Sequence, residues 1–148
     1  MAQAEVVNMK AYQLNVEQSK TVYERCKQHI QVKHCYNNVF EVVTDYMGKF
    51  RGGGWKIAYG YVEVMAGLYC RHCFILDNED MVIDPTIFAW TEPPLQREYL
   101  VMTVFDDVDK YLNAIEQDGY MPALDSYLKD DDKQAHEWAK NNGYVLVG

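Results

Sequence analysis

Cys35, His72 and Asp84, in that order along a chain of 148 residues, are the side chains whose types and spacing could do covalent chemistry. Cys35 follows a polar stretch and begins an apolar helical pattern. His72 opens a strand-like run, and Asp84 closes the next one inside Asp84-Pro85-Thr86. A neutral thiol is a poor nucleophile. Its pKa must fall from about 8.5, and the positive end of a helix dipole with an adjacent imidazolium supplies that shift. The unpaired N–H groups of the same helical turn can face the oxyanion that forms when a thiolate attacks a carbonyl. His72 would act as general base and acid through one ring nitrogen, while a carboxylate on the other fixes its tautomer. Asp84 suits that task. A turn centred near residues 78 and 79 sets His72 nearly opposite Asp84, and opposed residues share a face of the sheet.

These three residues need elements to hold them. Asn15 reads as an N-cap with Gln18 three residues on, and Val16, Tyr23, Cys26 and Ile30 recur at helical spacing, so a first helix is expected over about 16–31. A second begins at or near Cys35, with Tyr36, Val39, Phe40, Val43 and Met47 on one face, and ends at Gly48. Arg51-Gly52-Gly53-Gly54 is a turn and not a phosphate cradle, because a strand follows it where a phosphate loop would lead into a helix. Strands are expected over Trp55 to Met65, His72 to Leu76, Met81 to Asp84 and Tyr99 to Phe105, with Asp77-Asn78-Glu79-Asp80 as a hairpin turn. Ile87 to Arg97, carrying Trp90 and Pro93-Pro94, is a loop that could wall a cleft. Asp106 caps a further helix closed by Gly119. A short helix around Pro122 to Leu128, a last helix over Asp132 to Asn141 and a strand-like Tyr144 to Val147 complete the chain. Asp130-Asp131-Asp132 reads as a solvent-facing cap of that last helix. The expected class is α+β: N-terminal helices packed on a central, mostly antiparallel sheet, with helices after it.

Size and composition set the outer bounds. At 148 residues and 49% hydrophobic, the chain can fill one core and is too short for two ordinary domains, so 1–148 is read as a single domain. A net charge of -8 with no Lys/Arg stripe repels phosphate backbones. Nucleic acid is excluded as a partner on that ground, and a basic protein or peptide is allowed. No window reaches the ~18 apolar residues of a membrane span, and the first residues lack a basic region before an apolar run. A cytoplasmic protein with reduced thiols at Cys26, Cys35, Cys70 and Cys73 is expected.

With the motifs in place, a family likeness emerges. A Cys at a helix start, an aromatic strand Lys56-Ile57-Ala58-Tyr59-Gly60-Tyr61-Val62, then Arg71-His72-Cys73-Phe74-Ile75-Leu76 and Val82-Ile83-Asp84-Pro85-Thr86 resemble the transglutaminase-like branch of the papain-like thiol enzymes. The resemblance covers residues 35 to 86. It implies a papain-like core with Cys35 as nucleophile, His72 as general base and acid and Asp84 as orienter. The implied activity is a hydrolase or acyltransferase acting on an amide, peptide or isopeptide bond, with no metal or organic cofactor. In such enzymes a second oxyanion donor comes from a Gln, Asn or Trp near the Cys. Gln28, Gln31, Asn37 and Asn38 are all available here, with Gln31 favoured because the loop before Cys35 could bring it beside the sulfur.

Two other readings stand beside this one. Cys70-Arg71-His72-Cys73 holds three ligands of zinc type, which His34-Cys35 could complete, making a small zinc-binding module. An extended strand there would turn Cys73 away from Cys70 and His72. The second is a non-catalytic acidic binding or inhibitory protein that keeps the fold without the chemistry.

Overall fold

Aromatic and β-branched runs build the sheet on which the site hangs. Residues 9–90 and 97–148 are described by a computed structural model, and the expected Pro93-Pro94 wall lies outside them. The class is α+β. Strands β1 (Lys10–Tyr12), β2 (Lys56–Met65), β3 (Leu68–Leu76), β4 (Val82–Ile83), β5 (Tyr99–Phe105) and β6 (Val145–Val147) form one sheet. Its order is β1-β5-β2-β3-β4, with β6 beside β3. All these pairings are antiparallel except β3 with β6, so the sheet is mixed and mostly antiparallel, as expected. Among the described residues, no helix is long and apolar enough to cross a membrane.

The helices differ from the sequence expectation mainly at their ends. Helix α1 (Val16–Cys26) starts as expected, with the Asn15 side chain accepting from the Gln18 N–H, but stops at Cys26. Hydrogen bonds from His29 N–H to the Cys26 carbonyl and from Ile30 N–H to the Lys27 carbonyl then turn the chain. Ile30 still reaches the core, and the reversal brings the chain to α2 (Cys35–Asp45). That helix breaks at Tyr46, whose φ of -116° and ψ of 30° leave the helical region, before a short α3 (Met47–Arg51). The break lets Tyr46 stack on Trp55 with ring centroids 5.4 Å apart, while Phe50 meets Trp55 edge-on. Helix α4 (Val108–Gln117) is capped by Asp107, one residue later than expected, and α5 (Lys129–Asn142) ends at Gly143, whose φ of 80° is the left-handed cap. The expected helix over Pro122 to Leu128 is a pair of turns, because Leu124 takes a φ of 53°.

Strand β3 begins four residues before its expected start at His72, which therefore lies in the middle of a strand. Alternation along β2 and β3 separates two layers. Ile57, Tyr59, Cys73 and Ile75 join α1, α2 and α4 in the largest core cluster, and Tyr61 and Tyr69 meet α5 in a second. Ala58, Phe74, Leu76, Val82 and Tyr99 form a third cluster, against which Tyr12 and Leu14 pack. Gly60 is paired with His72 across β2 and β3 and sits at a register shift between β2 and β5. A Cβ there would stand 1.9 Å from the Leu100 carbonyl oxygen, so only glycine lets β5 approach this closely.

Candidate active site

Strand β3 is paired with β2 along its whole length, but its other edge is only partly covered. There β6 pairs with Leu68 to Cys70 and β4 with Ile75 and Leu76, leaving Arg71 to Phe74 without a strand neighbour. The first turn of α2 sits at this opening. Cys35 packs in the core cluster on the helix side of the sheet, whereas His72 contacts the rings of Phe74 and Tyr99 on the other. Thiol and imidazole meet around the open edge, where Cys35 is near enough to His72 to favour the charged ring. No side chain caps α2, and its first turn holds no acid, so its positive end is left to the residue it starts with, Cys35.

Asp84 reaches the same imidazole from β4. The pairs Ile75 with Ile83 and Leu76 with Val82 extend to place Asp84 opposite Phe74 and not opposite His72. Phe74 and His72 share a face, so the carboxylate crosses one pleat diagonally and accepts from His72 Nε2 at 2.8 Å. That leaves Nδ1 for the thiol. The Asp84 side chain is almost fully buried, and Tyr99 donates to the same Oδ2 at 2.7 Å. The Asp84 backbone N–H donates to Ser19 Oγ at 3.0 Å, which anchors the end of β4 to α1. After Asp84 the chain enters a 3-10 helix, Pro85–Ala89, where a loop was expected. Proline suits the first position of such a turn because no N–H is needed there.

Burial opposes charge on His72, but Asp84 and then Cys35 outweigh it and raise its pKa from 6.5 to about 10. The other thiols are placed differently. Burial raises Cys73 well above the ordinary thiol range, and burial with Asp45 pushes Cys26 up to about 11.

Gln31, the favoured oxyanion donor, is exposed and does not line the cleft beside Cys35. Its backbone is held instead: Asn38 Oδ1 accepts from the Gln31 N–H at 3.0 Å, and Asn38 Nδ2 donates to the Gln31 carbonyl at 2.7 Å and to Thr86 Oγ1 at 3.0 Å. Asn38 is fully buried and fastens the loop before Cys35 to the turn after Asp84. Tyr36 lies in the cleft, and its hydroxyl accepts from Arg71 Nη1 at 3.0 Å. Its own proton has no acceptor among the described residues. Burial, opposed by Arg71, raises the Tyr36 pKa and keeps that proton in place. Asn38 was one of the available oxyanion donors, but its amide is spent on the Gln31 backbone and Thr86, whereas Tyr36, Ser19 and Tyr99 were not singled out for the site from sequence. A Tyr next to a candidate nucleophile was the one readable sign.

The zinc arrangement is not assembled. Cys73 turns to the helix side with Tyr59, opposite to His72, and His72 Nε2 is occupied by Asp84. Among the described residues no group of three His, Cys, Asp or Glu side chains could hold a metal ion.

The cleft measures about 380 Å³ and runs over Cys35, Tyr36, His72 and Asp84 toward Val62, Ile87 and Trp90. Cys35, His72 and Asp84 all line it, with His72 bonded to Asp84. No protein-family model, curated protein or solved structure matches this chain.

Proposed function

We propose that the chain is a cysteine-dependent hydrolase or acyltransferase of papain-like, transglutaminase-like architecture, acting on an amide, peptide or isopeptide bond. The observation that carries this reading is the 2.8 Å bond from buried His72 Nε2 to Asp84, with Cys35 at the uncapped start of α2 as the other polar neighbour of the ring.

Catalysis on this reading begins with the Cys35 thiolate and His72 imidazolium as an ion pair. Sulfur attacks the substrate carbonyl, and the oxyanion turns to the free N–H groups of the first turn of α2. The Tyr36 hydroxyl takes the second-donor role expected of Gln31. The imidazolium protonates the leaving nitrogen, the C–N bond breaks, and a thioester remains on Cys35. Neutral His72 then takes a proton from water as the water attacks the thioester, releasing a carboxylic acid and restoring the pair. Asp84 holds the ring in one tautomer throughout. Hydrolysis is favoured over transfer, since water is the default acceptor.

The test is iodoacetamide labelling of the folded protein across pH 5 to 9, with the modified Cys identified by mass spectrometry. Selective, fast labelling of Cys35 that slows in His72→Ala is expected, and Cys35→Ala should abolish turnover of any amide or thioester substrate. Four thiols that label slowly, with no effect of His72→Ala, would overturn the enzyme reading in favour of a binding protein.

A further inference from the structure

Two donors meet on one oxygen behind the candidate nucleophile. His72 Nε2 and the Tyr99 hydroxyl both bond Asp84 Oδ2, at 2.8 and 2.7 Å, while Asp84 Oδ1 is buried and has no hydrogen-bond partner among the described residues. The carboxylate is thus held from one side only. Tyr99 is well fixed for that duty. It is fully buried at the start of β5, its ring stands edge-on to Phe74 with centroids 5.0 Å apart, and it contacts the His72 ring at 6.2 Å. Burial and then the Asp84 charge raise the Tyr99 pKa far above its ordinary value, so the hydroxyl stays a donor at every pH the fold meets. A hydrogen bond from Tyr99 stabilises the ionised Asp84 and lowers the basicity of the oxygen that attracts the His72 proton, so the two donors compete. An imidazole paired with an unshared carboxylate clings to its proton, and an acid that clings is slow to protonate a leaving nitrogen.

Resting on the reading of Cys35 as nucleophile and His72 as its acid and base, we propose that Tyr99 is a positioning residue of this site, its hydroxyl fixing Asp84 Oδ2 against His72 Nε2 and limiting how strongly that oxygen holds the proton of the ring. Tyr99 acts only through Asp84. The other ionisable groups around the imidazole are Cys35 from the start of α2 and, along the cleft, Lys33, Tyr36, Cys70, Arg71 and Arg97. Tyr99→Phe alters none of them and keeps the ring that packs on Phe74, so it removes the hydroxyl alone.

The test follows the His72 ring by NMR through a pH titration in Cys35→Ala, where the sulfur no longer adds to the raised value, with and without Tyr99→Phe. Removing the hydroxyl is expected to move the midpoint upward, about fivefold in proton affinity, because Oδ2 then serves His72 alone. Replacing Tyr99 by 3-fluorotyrosine, a stronger donor of nearly the same shape, should move it downward and keeps every packing contact should the phenylalanine variant fold poorly. In the Asp84→Asn background neither change should move the midpoint, since the effect runs through the carboxylate. A midpoint indifferent to both substitutions, or one that falls toward the ordinary 6.5 in Tyr99→Phe, would overturn the inference and make Tyr99 a packing residue. Iodoacetamide labelling of the parent protein separates the two readings. Fast labelling of Cys35 with an unmoved midpoint would overturn the role of Tyr99 and leave the enzyme reading intact. Slow labelling of Cys35 would overturn the enzyme reading and, with it, any part for Tyr99 in catalysis.

Discussion

Burial by itself drives the His72 imidazole toward its neutral form, and only the Asp84 carboxylate and the Cys35 sulfur reverse this, to a pKa of about 10. Because the folded value lies above the ordinary 6.5, the pairing stabilises the fold fully below about pH 6.5, and the contribution is lost as pH rises through about 10. The stability advantage of the parent over His72→Gln, measured by urea unfolding, should therefore be largest near pH 6 and fade toward pH 10.5. An advantage that grows with pH would mean that the ring is neutral in the fold. The same pairing places the alkaline limb of any kcat/KM profile well above 6.5, and Asp84→Asn should move it downward, since the limb belongs to the coupled set. Tyr36 has a different signature. Its proton is free to donate while Arg71 occupies its lone pair, so Tyr36→Phe should lower kcat by about a hundredfold with KM little changed. An equal loss in thermal stability and in KM would assign it to packing.

At the scale of elements, the site depends on how closely β5, β2 and β3 pack behind His72. Gly60 is the tightest point, with no room for a methyl group before the Leu100 carbonyl. Gly60→Ala should cost about 3 kcal/mol or more by forcing β2 and β5 apart. It should also disturb His72, its partner in β3, so that Cys35 labelling slows even in the folded fraction. Local signals served well where neighbours in sequence decide the outcome. The Asn15 cap, the start of α2 at Cys35, the Asp77 to Asp80 turn and β5 were all legible from residue types. Other boundaries were missed. The start of β3 pairs with the end of β2, Met65 opposite Leu68 across a tight turn at Gly67 that went unread, and on its other edge with β6, a strand that arrives late in the chain. Register was off by one pair because the hairpin turn is centred at residue 79, yet His72 and Asp84 kept a common face since the pleat preserves parity. Gln31 was chosen by proximity in sequence. The structure uses its backbone as an anchor for Asn38 instead.

Across the whole molecule, one residue joins the sheet, the C-terminal helix and the cleft. Arg71 leaves β3 beside the open edge and donates to Asp132 at the start of α5, to the Ala123 carbonyl at 2.8 Å and to the Tyr36 hydroxyl. Its guanidinium lies over the rings of Tyr36 and Tyr59. The acids at the start of α5 thus do more than cap a helix in solvent. Asp132 also accepts from the Tyr61 hydroxyl at 2.7 Å, and Asp131 from Thr103 at 2.7 Å. Removing the cation leaves Asp132 half-buried and without its charge partner, a change that costs about 3–5 kcal/mol when the pair is buried. Arg71→Met keeps much of the stem and isolates that electrostatic loss, so it should lower the melting temperature sharply while leaving β2 and β3 packed. Adding Asp132→Asn should recover part of the loss, because the stranded charge goes with it. Hydrogen exchange locates the effect: faster exchange in α5 and in the 120–128 turns, with the central strands still protected, is the expected pattern. Uniform loss of protection would mean that Arg71 supports the sheet itself and not the docking of the C-terminal helix. In the rescued double variant the Tyr36 hydroxyl still lacks its donor from Arg71. A fold restored without full turnover would therefore separate the two duties of this one side chain.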